Sequence, residues 1–353
     1  MTRSRSILRI AAALGLAALL SGCNSLLLLS PPGDVAAQQG NLIVVATVLM
    51  LIVIVPVIIL TFVFAWRYRA SNRKAKYTPD WDHSTQLELV IWGVPLLIII
   101  ALGAITWIST HLLDPYRPLE RLDANRAMPE GVEPLEIQVV ALDWKWLFIY
   151  PEYGVAVVNE AAAPVDRPIR FSITASSVMN AFYVPALAGM IYGMPGMEST
   201  LHAVMNEPGD YAGFSSNYSG AGFSHMRFRF HGMADADFDG WIERARGSGQ
   251  ALTRNEYLAL EKPSQREPVR YYANVEDGMF DMVVNRCVDI DRLCMDQMMA
   301  LDSAGGMGLR GLDALAVPRQ GDARNGPYIS AGVCTVETVA PLMSSVVGGL
   351  QAP

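Results

Sequence analysis

The sequence predicts a membrane-anchored α+β protein: a two-transmembrane-helix hairpin followed by an exported antiparallel β-sandwich with C-terminal helices. Three observations predict it. Two long N-terminal runs are apolar and almost free of charge, the chain beyond about residue 135 changes to short runs of period two, and helical signals return after His231. The 353 residues are 52% hydrophobic and 17% charged; an average soluble protein is about 25% charged. Part of this chain is therefore expected in lipid. The net charge of −7, with the basic residues explained by topology below, excludes a nucleic-acid-binding face.

Arg3, Arg5 and Arg9 precede an apolar stretch over residues 10–20, which closes in Leu20-Ser21-Gly22-Cys23. This reads as a secretory signal peptide over residues 1–22 rather than a third span. The Leu-x-Gly-Cys ending resembles the lipobox of bacterial lipoproteins, which implies a lipidated Cys23 and a lipidated linker over residues 23–41. The alternative is an ordinary apolar Cys in an uncleaved anchor.

Residues 42–66 contain no charged side chain, and residues 89–113 only His111 as a titratable group. At roughly 1.5 Å per residue, each covers a hydrocarbon core of about 30 Å, so spans are expected over residues 42–66 and 88–113. Pro56 and Pro95 are tolerated where neighbouring groups satisfy the freed carbonyls. Residues 67–87 between the spans carry Arg67, Arg69, Arg73, Lys74 and Lys76, whereas residues 24–41 carry no Lys or Arg. The short loop is thus expected in the cytoplasm and everything after the second span outside it. Trp66, Tyr68, Trp81, Trp107 and Tyr116 stand where interfacial aromatic anchors are expected.

In the exported part, expected over residues 114–233, Ile169, Phe171 and Ile173 share one face and Arg170, Ser172 and Thr174 the other; Met226, Phe228 and Phe230 alternate with Arg227 and Arg229. These are half-buried strands. Residues 135–150 and 200–205 supply further candidates between Pro, Gly and Asn turns. C-terminal helices are expected over residues 234–290: one around Trp241, one behind the capping box Thr253-Arg254-Asn255-Glu256, and an amphipathic segment over residues 275–288. Residues 291–353, rich in Gly and small polar side chains from about Ala304, are expected to form a flexible tail. A disulfide is chemically possible among Cys287, Cys294 and Cys334, with one cysteine left over.

The loops of the sandwich carry Ser177-Val178-Met179-Asn180-Ala181-Phe182-Tyr183-Val184-Pro185, Gly193-Met194-Pro195-Gly196-Met197, and Gly213-Phe214-Ser215-Ser216-Asn217-Tyr218-Ser219-Gly220-Ala221-Gly222-Phe223-Ser224-His225-Met226. This framework resembles subunit II of the haem-copper terminal oxidases, a resemblance covering about residues 40–290. In the cytochrome c-using members it holds a dinuclear copper centre on His, Cys, Glu, Cys, His and Met. The resemblance puts Asn180 at the first His, Ser215 and Ser219 at the two Cys, Asn217 at the Glu and Phe223 at the second His. Only Met226 is retained. Copper of this kind needs thiolate and imidazole donors; a serine hydroxyl is hard, stays protonated and does not bridge two copper ions. The chain therefore resembles the quinol-oxidising branch, and within it the cytochrome bo-type ubiquinol oxidases.

That resemblance implies a metal-free, cupredoxin-like Greek key in a respiratory, proton-translocating ubiquinol oxidase of a bacterial inner membrane, the large C-terminal domain lying in the periplasm. It implies partners: a haem-bearing subunit I that holds the haems and copper, smaller membrane subunits, membrane lipid, and ubiquinol as substrate of the complex. No cofactor and no catalytic residue is expected in this subunit; no nucleophile with its base, phosphate-binding Gly loop or carboxylate pair is visible. Glu88 matches a family Glu at the entrance of a proton channel, and Thr85-Gln86-Leu87-Glu88 is equally a capping box. His202, His225 and His231 read as solvated histidines, and Met190, Met194, Met197 and Met205 as loop packing. Trp144, in Asp143-Trp144-Lys145-Trp146, matches the strand that feeds electrons to copper in the copper-bearing relatives; without copper behind it, it reads as a packed aromatic at a subunit interface. Two rival functions are a copper electron-transfer subunit and a free-standing lipoprotein using the sandwich for binding or sensing.

Overall fold

A computed structural model describes residues 27–76, 78 and 80–303. The signal peptide and Cys23, and the tail from residue 304 with Cys334, lie outside the described residues. Helix α1 (Asp34–Arg67) and helix α2 (Thr85–Leu112) are 34 and 28 residues long and apolar enough to cross a membrane. At about 1.5 Å per residue both exceed a hydrocarbon core of roughly 30 Å. Their apolar side chains are exposed along most of their length.

α1 begins eight residues before the expected span, because its first two turns mix polar with small apolar side chains and pack on the sandwich. Asp34, Val35 and Ala36 are buried. Ahead of it, Gly33 pairs with Met205 and donates its N–H to Ala186 O at 2.9 Å. A Cβ on Gly33 would lie 2.6 Å from the Leu187 carbonyl oxygen, so only glycine allows this approach. At α2 the expected capping box is not formed. Ser84 is the N-cap, without a side-chain bond, which shifts Thr85 into the helix. Glu88 instead pairs with His83 Nδ1 at 2.7 Å.

The domain that follows packs two sheets. The six-stranded sheet runs β11-β3-β2-β1-β5-β8, comprising β1 (Leu135–Leu142), β2 (Lys145–Tyr150), β3 (Val155–Val158), β5 (Pro168–Ala175), β8 (Ser199–Val204) and β11 (Arg270–Tyr272). The five-stranded sheet runs β4-β10-β9-β6-β7, comprising β4 (Glu160–Pro164), β6 (Asn180–Tyr183), β7 (Ile191–Gly193), β9 (Gly209–Ser215) and β10 (Arg227–Met233). Pairing is not wholly antiparallel: β1 runs parallel to β5, Leu135 opposite Ile169, and β10 parallel to β4, Arg229 opposite Glu160. Alternation fixes the face a strand buries and leaves its neighbour's direction open.

Between the sheets lies an aromatic core. Phe182 and Phe228 stack at 5.5 Å, Trp146 meets both edge-on at 5.6 Å, and Phe171 packs on Phe182 at 5.2 Å. Phe228 and Phe230 point inward and Arg227 and Arg229 outward, as alternation predicts. β2, however, is buried on both faces. Its Leu147 and Ile149, with Val140, Leu142, Ala156 and Val158, form a second core against Leu252, Tyr257, Leu260, Tyr272, Phe280 and Val283 of the C-terminal segment. The six-stranded sheet is thus the middle of three layers.

That outer layer contains α4 (Arg254–Glu261) and α5 (Met279–Val284), whereas α3 (Asp235–Arg246) buries Phe238, Trp241, Ile242 and Ala245 in the core between the sheets, and α6 (Met295–Ser303) lies within the segment expected to be flexible. Thr253 Oγ1 caps α4 by accepting from Glu256 N at 3.3 Å, while the Glu256 carboxylate turns away to accept from Tyr272 Oη at 3.0 Å. The expected helix over residues 275–288 shrinks to the six residues of α5, which starts behind Gly278 at φ +68° and stops ahead of a Cys287–Cys294 disulfide.

Candidate functional site

The loop framework converges at one end of the five-stranded sheet. Asn180 opens β6 and Ser215 closes β9, the neighbouring strand, so pairing of the two strands brings their side chains together. Both are buried, at 1% and 4% exposure. Ser215 Oγ donates to Asn180 Oδ1 at 3.1 Å and accepts from Ala181 N at 3.4 Å; Asn180 Nδ2 donates to Val178 O at 3.1 Å. Asn217 Nδ2 ties the last loop to the first through Met179 O at 3.0 Å. Met226 is buried, and its carbonyl accepts from Ser215 N at 3.3 Å. Phe223 lies in a 3-10 turn, edge-on to Tyr218 at 5.6 Å.

Amides and hydroxyls thus cross-link the loops that converge here. Among the described residues no group of three or more His, Cys, Asp or Glu could hold a metal ion. The donors present are hydroxyls, carboxamides and one thioether, with a phenyl ring at Phe223. They do not fit a dinuclear copper centre, which needs bridging thiolates and imidazoles.

Trp144 packs within the domain rather than standing free at a surface. It sits at φ +65° in the β1–β2 turn, and its indole Nε1 donates to Ser219 O at 3.0 Å. The ring covers Gly222 so closely that a Cβ there would lie 2.3 Å from it. Next to it Lys145 is buried, its Nζ donating to Lys262 O at 2.7 Å and Ser264 Oγ at 2.6 Å; burial depresses its pKa.

His231 is not a free solvated residue. Its Nδ1 contacts Asp210, and its Nε2 lies 3.8 Å from Glu160, an ion-pair rather than hydrogen-bond distance. Glu160 Oε1 accepts from Trp241 Nε1 at 2.6 Å and Tyr271 Oη at 2.7 Å, which joins β4 to α3 and to the Arg270–Tyr272 edge strand. Burial alone would raise the Glu160 pKa; His231, Trp241 and Tyr271 together outweigh it and hold the carboxyl at about 2. In return Glu160 raises the His231 pKa against burial, with Asp210 adding to it. His202 is half-buried with its pKa lowered by burial and Arg170, and His225 contacts Arg266. Met205 is fully buried, while Met190 and Met197 are exposed.

A second cluster, which sequence patterning does not reveal, anchors the hairpin. Asp34 is held bidentately by Arg121 at 2.9 and 3.0 Å and by Gln38 Nε2 at 2.7 Å. Asn206 accepts from Asp34 N at 3.1 Å and donates to Leu122 O and Asp166 Oδ1, each at 2.9 Å. The available signal is a lone acid directly ahead of a long uncharged run.

Comparison with known proteins agrees with this geometry. Residues 150–232 match the family described as cytochrome c oxidase subunit II, periplasmic domain, and residues 246–290 match the COX aromatic rich motif. The chain is 50% identical over 274 residues to cytochrome bo(3) ubiquinol oxidase subunit 2 of Pseudomonas putida, covering 78% of this chain and 84% of that one. It is 49% identical over 268 residues to ubiquinol oxidase subunit 2 of Acetobacter aceti, covering 76% and 84%. With the counterpart from Pseudomonas aeruginosa it shares 47% over 270 residues, covering 76% and 78%. An apolar helix hairpin bearing a cupredoxin-like sandwich with these loops defines the subunit II class of terminal oxidases. Within that class, the chain belongs to the family of cytochrome bo(3) ubiquinol oxidase subunit 2.

Proposed function

We propose that this chain is the redox-inactive subunit II of a respiratory ubiquinol oxidase, supporting a subunit I that holds the haems and copper. Reducing equivalents bypass the sandwich, and the complex couples quinol oxidation and dioxygen reduction to proton translocation. The observation that carries this reading is the buried Asn180–Ser215 hydrogen bond, which ties together the two loops where copper donors would have to converge. The basic loop after α1 lies in the cytoplasm and the sandwich in the periplasm, anchored also by lipid on Cys23; charge asymmetry and the lipobox support this.

Extraction in mild detergent tests the function. The expected result is co-purification with haem-bearing and smaller membrane subunits, with quinol-dependent oxygen uptake; a lone protein would favour a free-standing lipoprotein that binds or senses. Stoichiometric dicopper on the metal-reconstituted periplasmic domain would overturn the redox-inactive assignment.

In this reading Glu88 contributes to proton entry at the cytoplasmic end of α2. It makes no capping box, and with His83 it forms a largely exposed pair. Proton traffic suits a carboxylate at the lipid boundary. Glu88→Ala is expected to slow oxygen reduction severalfold in the assembled complex. Unchanged turnover with normal assembly would leave Glu88 only its interaction with the helix dipole, worth roughly 0.3–1 kcal/mol.

A further inference from the structure

We propose that the cleft where the helix hairpin meets the sandwich binds one zwitterionic aminophospholipid, with its headgroup among Asp114, Arg117 and Arg121 and its acyl chains between α1 and α2. This rests on the reading that both helices cross the membrane with the sandwich outside. Two cavities meet there. One, of about 260 Å³, lies under the sandwich; Asp34, Asp114, Arg117, Glu120 and Arg121 gather on its wall among apolar side chains such as Leu119. The other, of about 360 Å³, lies between the helices and is walled chiefly by apolar side chains such as Leu42, Val45, Ile105 and Ile108. Gln38, Leu112, Leu113 and Arg121 line both, so the chamber that carries the charged groups adjoins the apolar groove. An amphiphile matches a cleft whose charged groups gather at the sandwich end and whose other end is an apolar groove between two spanning helices.

The charges select the headgroup. Three carboxylates, Asp34, Asp114 and Glu120, face two guanidiniums, Arg117 and Arg121, leaving an excess of one negative charge. Asp34 is taken by Nε and Nη2 of Arg121, and Glu120 pairs with Arg117. Among the described residues Asp114 has no cationic partner, and its Oδ1 accepts the Tyr116 N–H at 3.0 Å. An ammonium group neutralises that carboxylate, while Nη1 of Arg121, which lies outside the Asp34 pair, and the Arg117 guanidinium suit a phosphate. A purely anionic headgroup would supply the phosphate contact and leave Asp114 uncompensated. His202 borders the chamber, and burial beside Arg170 disfavours its charged form, so it adds no cation near neutral pH.

The test uses the full-length chain, extracted in mild detergent with the subunits that accompany it, stripped of lipid and exposed to phosphatidylethanolamine or phosphatidylglycerol in mixed micelles. Native mass spectrometry should show one retained phosphatidylethanolamine, with phosphatidylglycerol held about tenfold more weakly, the scale set by one charge-assisted hydrogen bond. Asp114→Asn should erase that preference, and Val45→Trp, which fills the groove from an exposed position, should abolish retention of both lipids. Equal retention of the two lipids by the unmodified chain, retention unchanged in both variants, or a quinone in the cleft would overturn the proposal. Release of the chain from membranes by alkaline carbonate would instead sink the spanning reading on which it rests.

Discussion

Arg121→Ala is expected to destabilise the full chain in detergent by about 3 kcal/mol, the low end of the cost of leaving a buried charge without its partner. Asp34 exposes only 4% of its side chain and takes two guanidinium bonds, whereas Arg121 is 41% exposed. Solvent on the arginine side is the reason for choosing the low end. Removing the cation leaves the carboxylate with Gln38 alone among side chains, in a place water scarcely reaches. Thermal unfolding should register the change, and limited proteolysis should cut the 113–134 connection faster as α1 comes away from the sandwich. Arg121→Lys should recover only part of the loss, because an ammonium does not reproduce the two-pronged geometry. The double variant Asp34→Asn, Arg121→Met should be more stable than Arg121→Ala, since it removes the buried charge together with its partner. If Arg121→Ala unfolds like the unmodified chain, the junction is not what holds the hairpin to the domain.

Glu160→Ala should be of comparable size, about 3 kcal/mol, and should loosen α3 and the Arg270–Tyr272 edge strand first. The substitution removes the acceptor of both Trp241 Nε1 and Tyr271 Oη, and a buried donor left without a partner costs roughly 1–3 kcal/mol. The pH dependence has a defined sign. With Glu160 held at about 2 against an ordinary 4.5 and only 16% of its side chain exposed, its contribution is present above 4.5 and lost as pH falls towards 2. A shift of this size is worth about 3 kcal/mol. His231 acts in the other direction: its raised pKa makes its contribution complete below the ordinary 6.5 and lost as pH rises through the raised value. The network is therefore strongest between about 4.5 and 6.5, and Glu160→Gln should flatten both flanks of the stability profile. A profile identical to that of the unmodified chain would mean that these groups do not titrate with folding.

Much of the architecture is legible in the chain itself. The two long apolar helices follow from uncharged length, the strands from alternation, and the Thr253 cap from its own spacing, because each property is written in neighbouring residues. The site is legible in its chemistry as well: Asn180, Ser215, Asn217, Ser219 and Phe223 announce by type alone that thiolates and imidazoles are lacking. What cannot be read in this way is partnership across distance. Asp34 meets Arg121 across 87 positions, and Glu160 meets Tyr271 across 111. Beyond the place of Asp34 directly ahead of a long uncharged run, nothing local distinguishes these polar residues from solvated ones. His231 looked solvated for the same reason, and the pairing of Cys287 with Cys294 was one of several open choices until the backbone brought them together.

Sequence by itself determined the apolar hairpin, the alternating strands and a loop framework without soft donors, since these depend on side-chain type and short-range periodicity. Only the tertiary structure decided that β1 and β5 run parallel, that β2 is covered on both faces, and that hydrogen bonds link the loops where the family's copper donors would stand. The physical reason is that alternation specifies which face a strand buries, while the identity of what covers that face depends on how distant segments close upon one another.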